Sequence, residues 1–97
     1  MNEGIVARRY VGTGRVQGVG YRNFVEHTAG KIHVAGYVRN RRDGSVEVFA
    51  MGPPEELLKL RKALERGPMM AQVGRVSEEP SEVEARYLGN FTVDFTE

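Results

Sequence analysis

Apolar residues change their spacing at one glycine-rich segment, residues 14–22 (GRVQGVGYR), and this change limits the possible folds more than any other feature. The preceding residues 5–11 (IVARRYV) are rich in β-branched and aromatic side chains, which favour a strand. From Arg22 onward the apolar residues have helical spacing and comprise Phe24, Val25, Thr28, Ala29 and Ile32. The sequence therefore predicts a strand, a glycine-rich loop and a helix, in that order.

A hairpin is predicted next. Residues 34–41 and 45–51 both alternate like strands, and the Asp43-Gly44 pair between them is a turn signal. In the first of these strands, one face carries Val34, Gly36, Val38 and Asn40, and the other carries Tyr37, Arg39 and Arg41.

The remaining residues predict a second helix and two more strands. Pro53 and Pro54 suit the first turn of a helix, and Gly67 suits its end. The apolar stripe of this helix consists of Leu57, Leu60 and Leu64. Further strands are expected within residues 71–79 and at residues 91–95.

The predicted order βαββαβ, with a short extra C-terminal strand, favours an α+β fold of the ferredoxin-like type. In this fold two helices pack on one face of an antiparallel sheet. A length of 97 residues suits a single domain over residues 1–97.

Composition excludes several classes of site. The chain contains no cysteine, which rules out disulfides, thiolate metal sites and cysteine nucleophiles. No apolar run approaches the ~20 residues of a membrane span, and no signal-peptide pattern is present. We therefore expect a cytoplasmic protein, with a monomer as the default oligomeric state.

The charges are unevenly distributed. Residues 1–42 carry eight basic and two acidic side chains, whereas residues 43–97 carry six and eleven. The first part of the chain either attracts an anionic ligand or is simply an uneven solvated surface.

The glycine-rich segment has the composition of a phosphate-binding loop. Glycines allow successive N–H groups to turn towards one point, and the following helix N-terminus adds unpaired donors. Arg22, at the start of that helix, has a guanidinium that binds two phosphate oxygens at once. The segment matches neither a P-loop nor a dinucleotide fingerprint. A tight turn that only requires positive φ is the alternative interpretation.

Asn40 is the second candidate, because it ends a predicted strand just before a turn. Asparagine is common in turns, but its neutral amide also accepts from and donates to water. Beside a bound phosphorus it would orient a water for in-line attack. His27 and His33 lack the spacing of a triad or metal site, so phosphoryl chemistry here would depend on positioning and a good leaving group.

Three stretches resemble the acylphosphatase family. Residues 14–22 match its pattern G-x-V-Q-G-V, two mostly aromatic positions and R. Residues 36–52 (GYVRNRRDGSVEVFAMG) match G, aromatic, V, basic, N, three variable positions, G-x-V and, after five residues, G. Residues 67–76 (GPMMAQVGRV) resemble the family's stretch after the second helix, and the resemblance extends from Val6 to Phe95.

This resemblance implies a hydrolase that cleaves acyl phosphates, the mixed anhydrides of carboxylic and phosphoric acid, to carboxylate and inorganic phosphate, without metal or cofactor. It implies the ferredoxin-like fold and catalytic roles for Arg22 and Asn40. Inorganic phosphate would be the product and a competitive inhibitor, with no nucleic acid or membrane as partner. The implied phosphate-binding N–H groups belong to Arg15, Val16, Gln17, Gly18, Val19, Gly20 and Tyr21.

Two positions depart from the family pattern. Gly20 stands where the family usually has an aromatic or other large side chain, which leaves affinity and acyl preference open. His33 stands where the family usually has glycine, just after the first helix, where a left-handed conformation is expected. Histidine tolerates this conformation better than most residues, yet it retains a steric cost there.

Two alternatives remain open. The first is a non-catalytic phosphate- or nucleic-acid-binding module on the same fold, although the aromatic run of RNA-recognition sheets is missing. The second is a detached relative of the acylphosphatase-like domains fused to larger carbamoyl-phosphate-handling enzymes, although the zinc-type cysteines of such partners are missing.

Overall fold

The computed structural model of this chain describes residues 4–96 and follows the predicted order of elements. The elements follow one another along the chain as β1 (Val6–Arg15), α1 (Tyr21–Ile32), β2 (Ala35–Asn40), β3 (Val46–Gly52), α2 (Pro54–Arg66), β4 (Gln72–Ser81), a short 3₁₀-helix (Ala85–Tyr87) and β5 (Phe91–Val93).

The strands form one sheet in the order β4-β1-β3-β2-β5. The four longer strands pair antiparallel, whereas β5 lies parallel to β2, with Gly36 opposite Phe91. The ferredoxin-like fold class is confirmed, and the short C-terminal strand makes the sheet mixed. β5 and β2 are distant in the chain, and β4, which precedes β5, lies at the opposite edge of the sheet. Such a long connection between β2 and β5 permits a parallel pairing, which a short hairpin does not.

Both helices pack on the same face of the sheet and confirm the predicted apolar stripes. The buried residues of α1 and α2 are Tyr21, Val25, Ala29, Leu57, Leu60, Ala63 and Leu64. They form the main core with strand residues that include Tyr10, Val38 and Val48, while Phe24 and Ile32 are partly buried at its margin. Burial of this face holds the start of α1 in place against the sheet.

The first strand is longer than predicted and includes part of the glycine-rich segment. Its register with β4 shifts between Thr13 and Gly14. Gly14 has φ 103°, and a Cβ there would lie 2.4 Å from the carbonyl oxygen of Gln72. Only glycine allows the two backbones to approach so closely. Glycine therefore extends this strand through a bulge, where sequence alone predicted the beginning of a loop.

The opposite face of the sheet contains a buried carboxylate behind Asn40. Glu47 is only 4% exposed and accepts hydrogen bonds from Tyr37 Oη at 2.5 Å and Arg39 Nη2 at 3.0 Å. Arg9 Nε lies 3.3 Å from Glu47 Oε2. Burial raises the pKa of the Glu47 carboxyl, but these hydrogen bonds and the two arginine charges outweigh it, so the pKa lies below its usual value. The side chains of this cluster link β1, β2 and β3 on the face of the sheet away from the helices.

His33 ends α1 in the left-handed conformation that the sequence predicted. Its φ and ψ are 58° and 45°, and its N–H donates to the Ala29 carbonyl. Among the residues the structure describes, it is the only non-glycine with positive φ.

Replacing His33 with glycine is expected to stabilise the fold. The change removes a left-handed strain of roughly 1 kcal/mol, of which the greater freedom of glycine in the unfolded chain offsets a part. We expect thermal unfolding to show a Tm higher by roughly 1–5 °C. His33→Ala is the matched control, since it removes the imidazole but keeps the strain. A lower Tm for His33→Gly would contradict the prediction.

Candidate active site

A five-residue connection, residues 16–20, links β1 to α1 and contains two glycines in left-handed backbone conformation. Gly18 has φ 74° and Gly20, at the N-cap of α1, has φ 81°. The loop is anchored at both ends, because Val16 is fully buried and the buried Tyr21 donates its hydroxyl to the Leu64 carbonyl at 2.7 Å. The loop backbone is therefore curved by its glycines and fixed by its flanking residues.

Several N–H groups of this loop are available to a ligand. Within residues 4–96, the N–H groups of residues 17–20 donate to no protein acceptor. The first hydrogen bond of α1 runs from the Phe24 N–H to the Gly20 carbonyl at 3.0 Å. The N–H groups of residues 21–23 therefore have no intrahelical acceptor. Such a cluster of donors at a helix N-terminus is suited to an anion.

Arg22 places a positive charge at the N-terminal end of α1, where the helix dipole is also positive. The helix dipole disfavours a cation in the first turn, and α1 has no acidic residue there to compensate. The side chain is half-buried, and its Nη1 donates to the Asp94 carbonyl at 3.0 Å. This contact holds the guanidinium near the residues that follow β5. A bound anion would remove the unfavourable electrostatic interaction.

Asn40 lies at the end of β2, opposite Val46 of β3. The parity of the strand puts it on the same face as the buried Val38, which is the face that carries the helices. The Asn40 side chain is half-buried and makes no hydrogen bond within the described part of the chain. Its amide is therefore available to both a donor and an acceptor.

A cavity of about 220 Å³ brings the two candidate catalytic side chains together. It is lined by Val16, Gly18, Gly20, Tyr21, Arg22, Asn23 and Asn40. Asn23 is the one lining residue that the sequence did not single out. Its position in the first turn of a helix after a glycine loop is a signal that could have identified it.

Two members of the predicted phosphate-binding set have other backbone roles. Arg15 belongs to β1 and lies opposite Gln72 in the ladder with β4. The Val16 N–H donates to the Gly14 carbonyl at 3.1 Å. Gly20 lines the cavity, and a Cβ there would meet no atom within 4 Å, so the space that a larger side chain would fill is open.

The other candidate features lie away from this cavity. A larger cavity of about 460 Å³ lies near the C-terminal end of α1, where His33 contributes to its wall, and includes neither Arg22 nor Asn40. His27 is exposed on α1. Over residues 4–96, no three His, Asp or Glu side chains cluster closely enough to hold a metal ion. None of the described helices has the length and hydropathy to span a membrane.

The sequence is similar to one protein family over most of its length. The sequence model of the acylphosphatase family matches residues 8–93. An acylphosphatase of Koribacter versatilis is 47% identical over 96 residues, which cover 99% of this chain and 86% of that protein. An acylphosphatase of Pasteurella multocida is 42% identical over 91 residues, covering 94% of this chain and 100% of its own.

Solved structures agree with the sequence relatives. The crystal structure of acylphosphatase from Bacillus subtilis superposes with a TM-score of 0.86 at 36% identity, covering 92% of this chain and 98% of that one. An acylphosphatase from Coxiella burnetii superposes with a TM-score of 0.89 at 30% identity, covering 97% and 100%.

Proposed function

Because this chain belongs to the acylphosphatase family and is a hydrolase of acyl phosphates, we propose that its reaction takes place in the cavity between the β1–α1 loop and the end of β2. The observation that carries this proposal is the meeting of Arg22, Asn40 and the glycine loop at one cavity. Arg22 lies at the start of α1 and Asn40 at the end of β2, and the strand that follows the helix runs back towards the start of that helix.

The loop and Arg22 hold the phosphoryl group of the substrate. N–H groups of Gln17, Gly18, Val19, Gly20 and Tyr21 donate to its oxygens, since these are the amides of the predicted set that have no protein acceptor. The guanidinium of Arg22 adds a fixed positive charge to the same oxygens. In the transition state the equatorial oxygens carry the charge, and preorganised donors stabilise it at no reorganisation cost.

Asn40 orients the attacking water. Its side-chain carbonyl oxygen accepts a hydrogen bond from the water. The water oxygen forms a bond to phosphorus in line with the breaking bond between phosphorus and the acyl oxygen. The carboxylate departs with the electron pair of that bond, and a phosphate oxygen takes the proton of the water.

This chemistry requires neither a strong base nor a metal. A carboxylate is a good leaving group, so the phosphoryl transition state is loose and little proton transfer accompanies it. The cavity accordingly presents neutral donors and one arginine, and it includes no histidine or carboxylate. Inorganic phosphate, which carries the same oxygens, would compete with the substrate.

The alternative of a non-catalytic binding module is not supported. Relatives that match nearly the whole chain at more than 40% identity are acylphosphatases.

Hydrolysis of benzoyl phosphate in the presence of a chelator tests the proposal. We expect turnover at the same rate with and without the chelator, and competitive inhibition by inorganic phosphate. Activity that the chelator removes and a divalent cation restores would refute the metal-independent mechanism. No hydrolysis by folded protein would refute the function itself.

A further inference from the structure

We propose that the side-chain amide of Gln17 is a positioning element that holds the phosphate-binding loop against the β2–β3 turn and so sets the distance between Asn40 and the bound phosphorus. This inference rests on the proposed function. It assigns to Gln17 a role separate from that of its backbone N–H.

The contact joins two parts of the site that are otherwise attached to different elements. Gln17 Nε2 donates to the carbonyl oxygen of Arg41 at 2.7 Å and to that of Ser45 at 2.9 Å. A primary amide has two N–H donors, so both are used. Arg41 directly follows Asn40, and Ser45 directly precedes the strand residue opposite Asn40. The amide therefore bridges the two ends of the turn immediately beside the proposed water-orienting residue.

Hydrogen bonds within the β2–β3 turn fix its conformation independently of Gln17. The Arg41 N–H donates to the Ser45 carbonyl at 2.8 Å, and the Gly44 N–H donates to the Arg41 carbonyl at 3.1 Å. Asp43 Oδ1 accepts from both the N–H and the hydroxyl of Ser45, at 2.9 and 2.6 Å. Each carbonyl that Gln17 contacts thus already accepts one hydrogen bond within the turn. Gln17 uses the second acceptor site of each carbonyl and attaches the loop to a preformed structure.

The chemical consequence concerns turnover more than phosphate binding. The proposed phosphate donors all lie on the loop and α1, whereas Asn40 lies on β2. Without the Gln17 contacts the loop keeps its own donors, Arg22 and its anchors at Val16 and Tyr21. Its middle part is then no longer attached to the turn that follows Asn40. Displacement by about 1 Å from a productive geometry can cost about 100-fold in rate.

Gln17→Met is the direct test, because methionine has similar length and no N–H donor. We expect kcat for benzoyl phosphate to fall by about 10- to 100-fold, with the inhibition constant of inorganic phosphate nearly unchanged. The matched control is Gln72→Met, which makes the same change at the chain's other glutamine, on the exposed surface of β4 beside Arg15. The control is expected to leave both constants unchanged.

Two results would overturn the proposal. One is an unchanged kcat in folded Gln17→Met. The other is a parallel loss of kcat and phosphate affinity, because this would mark collapse of the loop. Either result alongside normal hydrolysis by the unsubstituted protein leaves the proposed function intact.

Hydrogen exchange of the two side-chain amides provides a measurement that does not depend on a variant. The Gln17 NH₂ is expected to exchange more slowly than the exposed Gln72 NH₂. If Gln17→Met does not fold, this comparison and the kcat of the milder Gln17→Asn decide the question. Equal exchange rates, or a folded Gln17→Asn with normal kcat, would overturn the proposal.

Discussion

Replacing Arg22 with alanine is expected to lower kcat for benzoyl phosphate by at least about 10²–10³-fold and to weaken inhibition by inorganic phosphate strongly. Both effects follow from one cause, since in the proposed site the guanidinium contacts the same phosphoryl oxygens in the bound state and in the transition state. Steady-state kinetics with phosphate as inhibitor measures both constants. Arg22→Lys should recover only part of the loss, because an ammonium keeps the charge but not the two-pronged geometry.

The stability of Arg22→Ala should stay close to that of the unsubstituted protein. Removing a cation from the first turn of α1 stabilises the helix by about 0.3–1 kcal/mol. Loss of the hydrogen bond to the Asp94 carbonyl costs about 0.5–1.5 kcal/mol in return. The matched control is Arg75→Ala, at an exposed position of β4 outside the cavity. Retained phosphate affinity in Arg22→Ala would show that the phosphate site lies elsewhere.

Replacing Asn40 with alanine is expected to give the second large effect, a loss of kcat of about 10²–10³-fold with phosphate affinity nearly intact. The reason is that the proposed partner of Asn40 is the attacking water, which is not part of the phosphate complex. Calorimetric titration with phosphate and steady-state kinetics measure the two quantities independently.

Asn90→Ala is a suitable control for this variant, because Asn90 is exposed and does not line the cavity. If phosphate binding falls in parallel with turnover in Asn40→Ala, the water-orienting role is wrong. Asn40 would then be a direct phosphate ligand.

Most of the fold follows from local sequence patterns. The helical stripes, the Asp43-Gly44 turn and the Pro-to-Gly bounds of α2 each act over a few residues, and the structure confirms them. The length of β1 does not follow in this way. Gly14 indicates a loop by its local preference, but a close approach to β4 makes it part of a bulged strand. At Gly14 the contact with β4 outweighs the local preference of glycine for a loop.

Part of the candidate site is likewise predicted from the sequence, and part is seen only in the structure. Family motifs predict Arg22 and Asn40 as the catalytic candidates, and such a pattern also predicts the left-handed conformation at His33, which the structure shows. They do not reveal that Asn23 lines the cavity or that the Gln17 side chain contacts the carbonyls of Arg41 and Ser45. Those contacts depend on the pairing of β2 with β3 and on the packing of α1, which no short segment encodes.

The sequence by itself determined the order of the elements, the glycine-rich loop and the residue types that we propose bind a phosphoryl group. Only the tertiary structure decided which N–H groups stay without an acceptor and which face of β2 meets the loop. The physical reason is that backbone preferences and hydrophobic periodicity act over neighbouring residues. The position of Asn40 beside Arg22 depends on strand register, and register is determined by burial of the whole sheet face under the two helices.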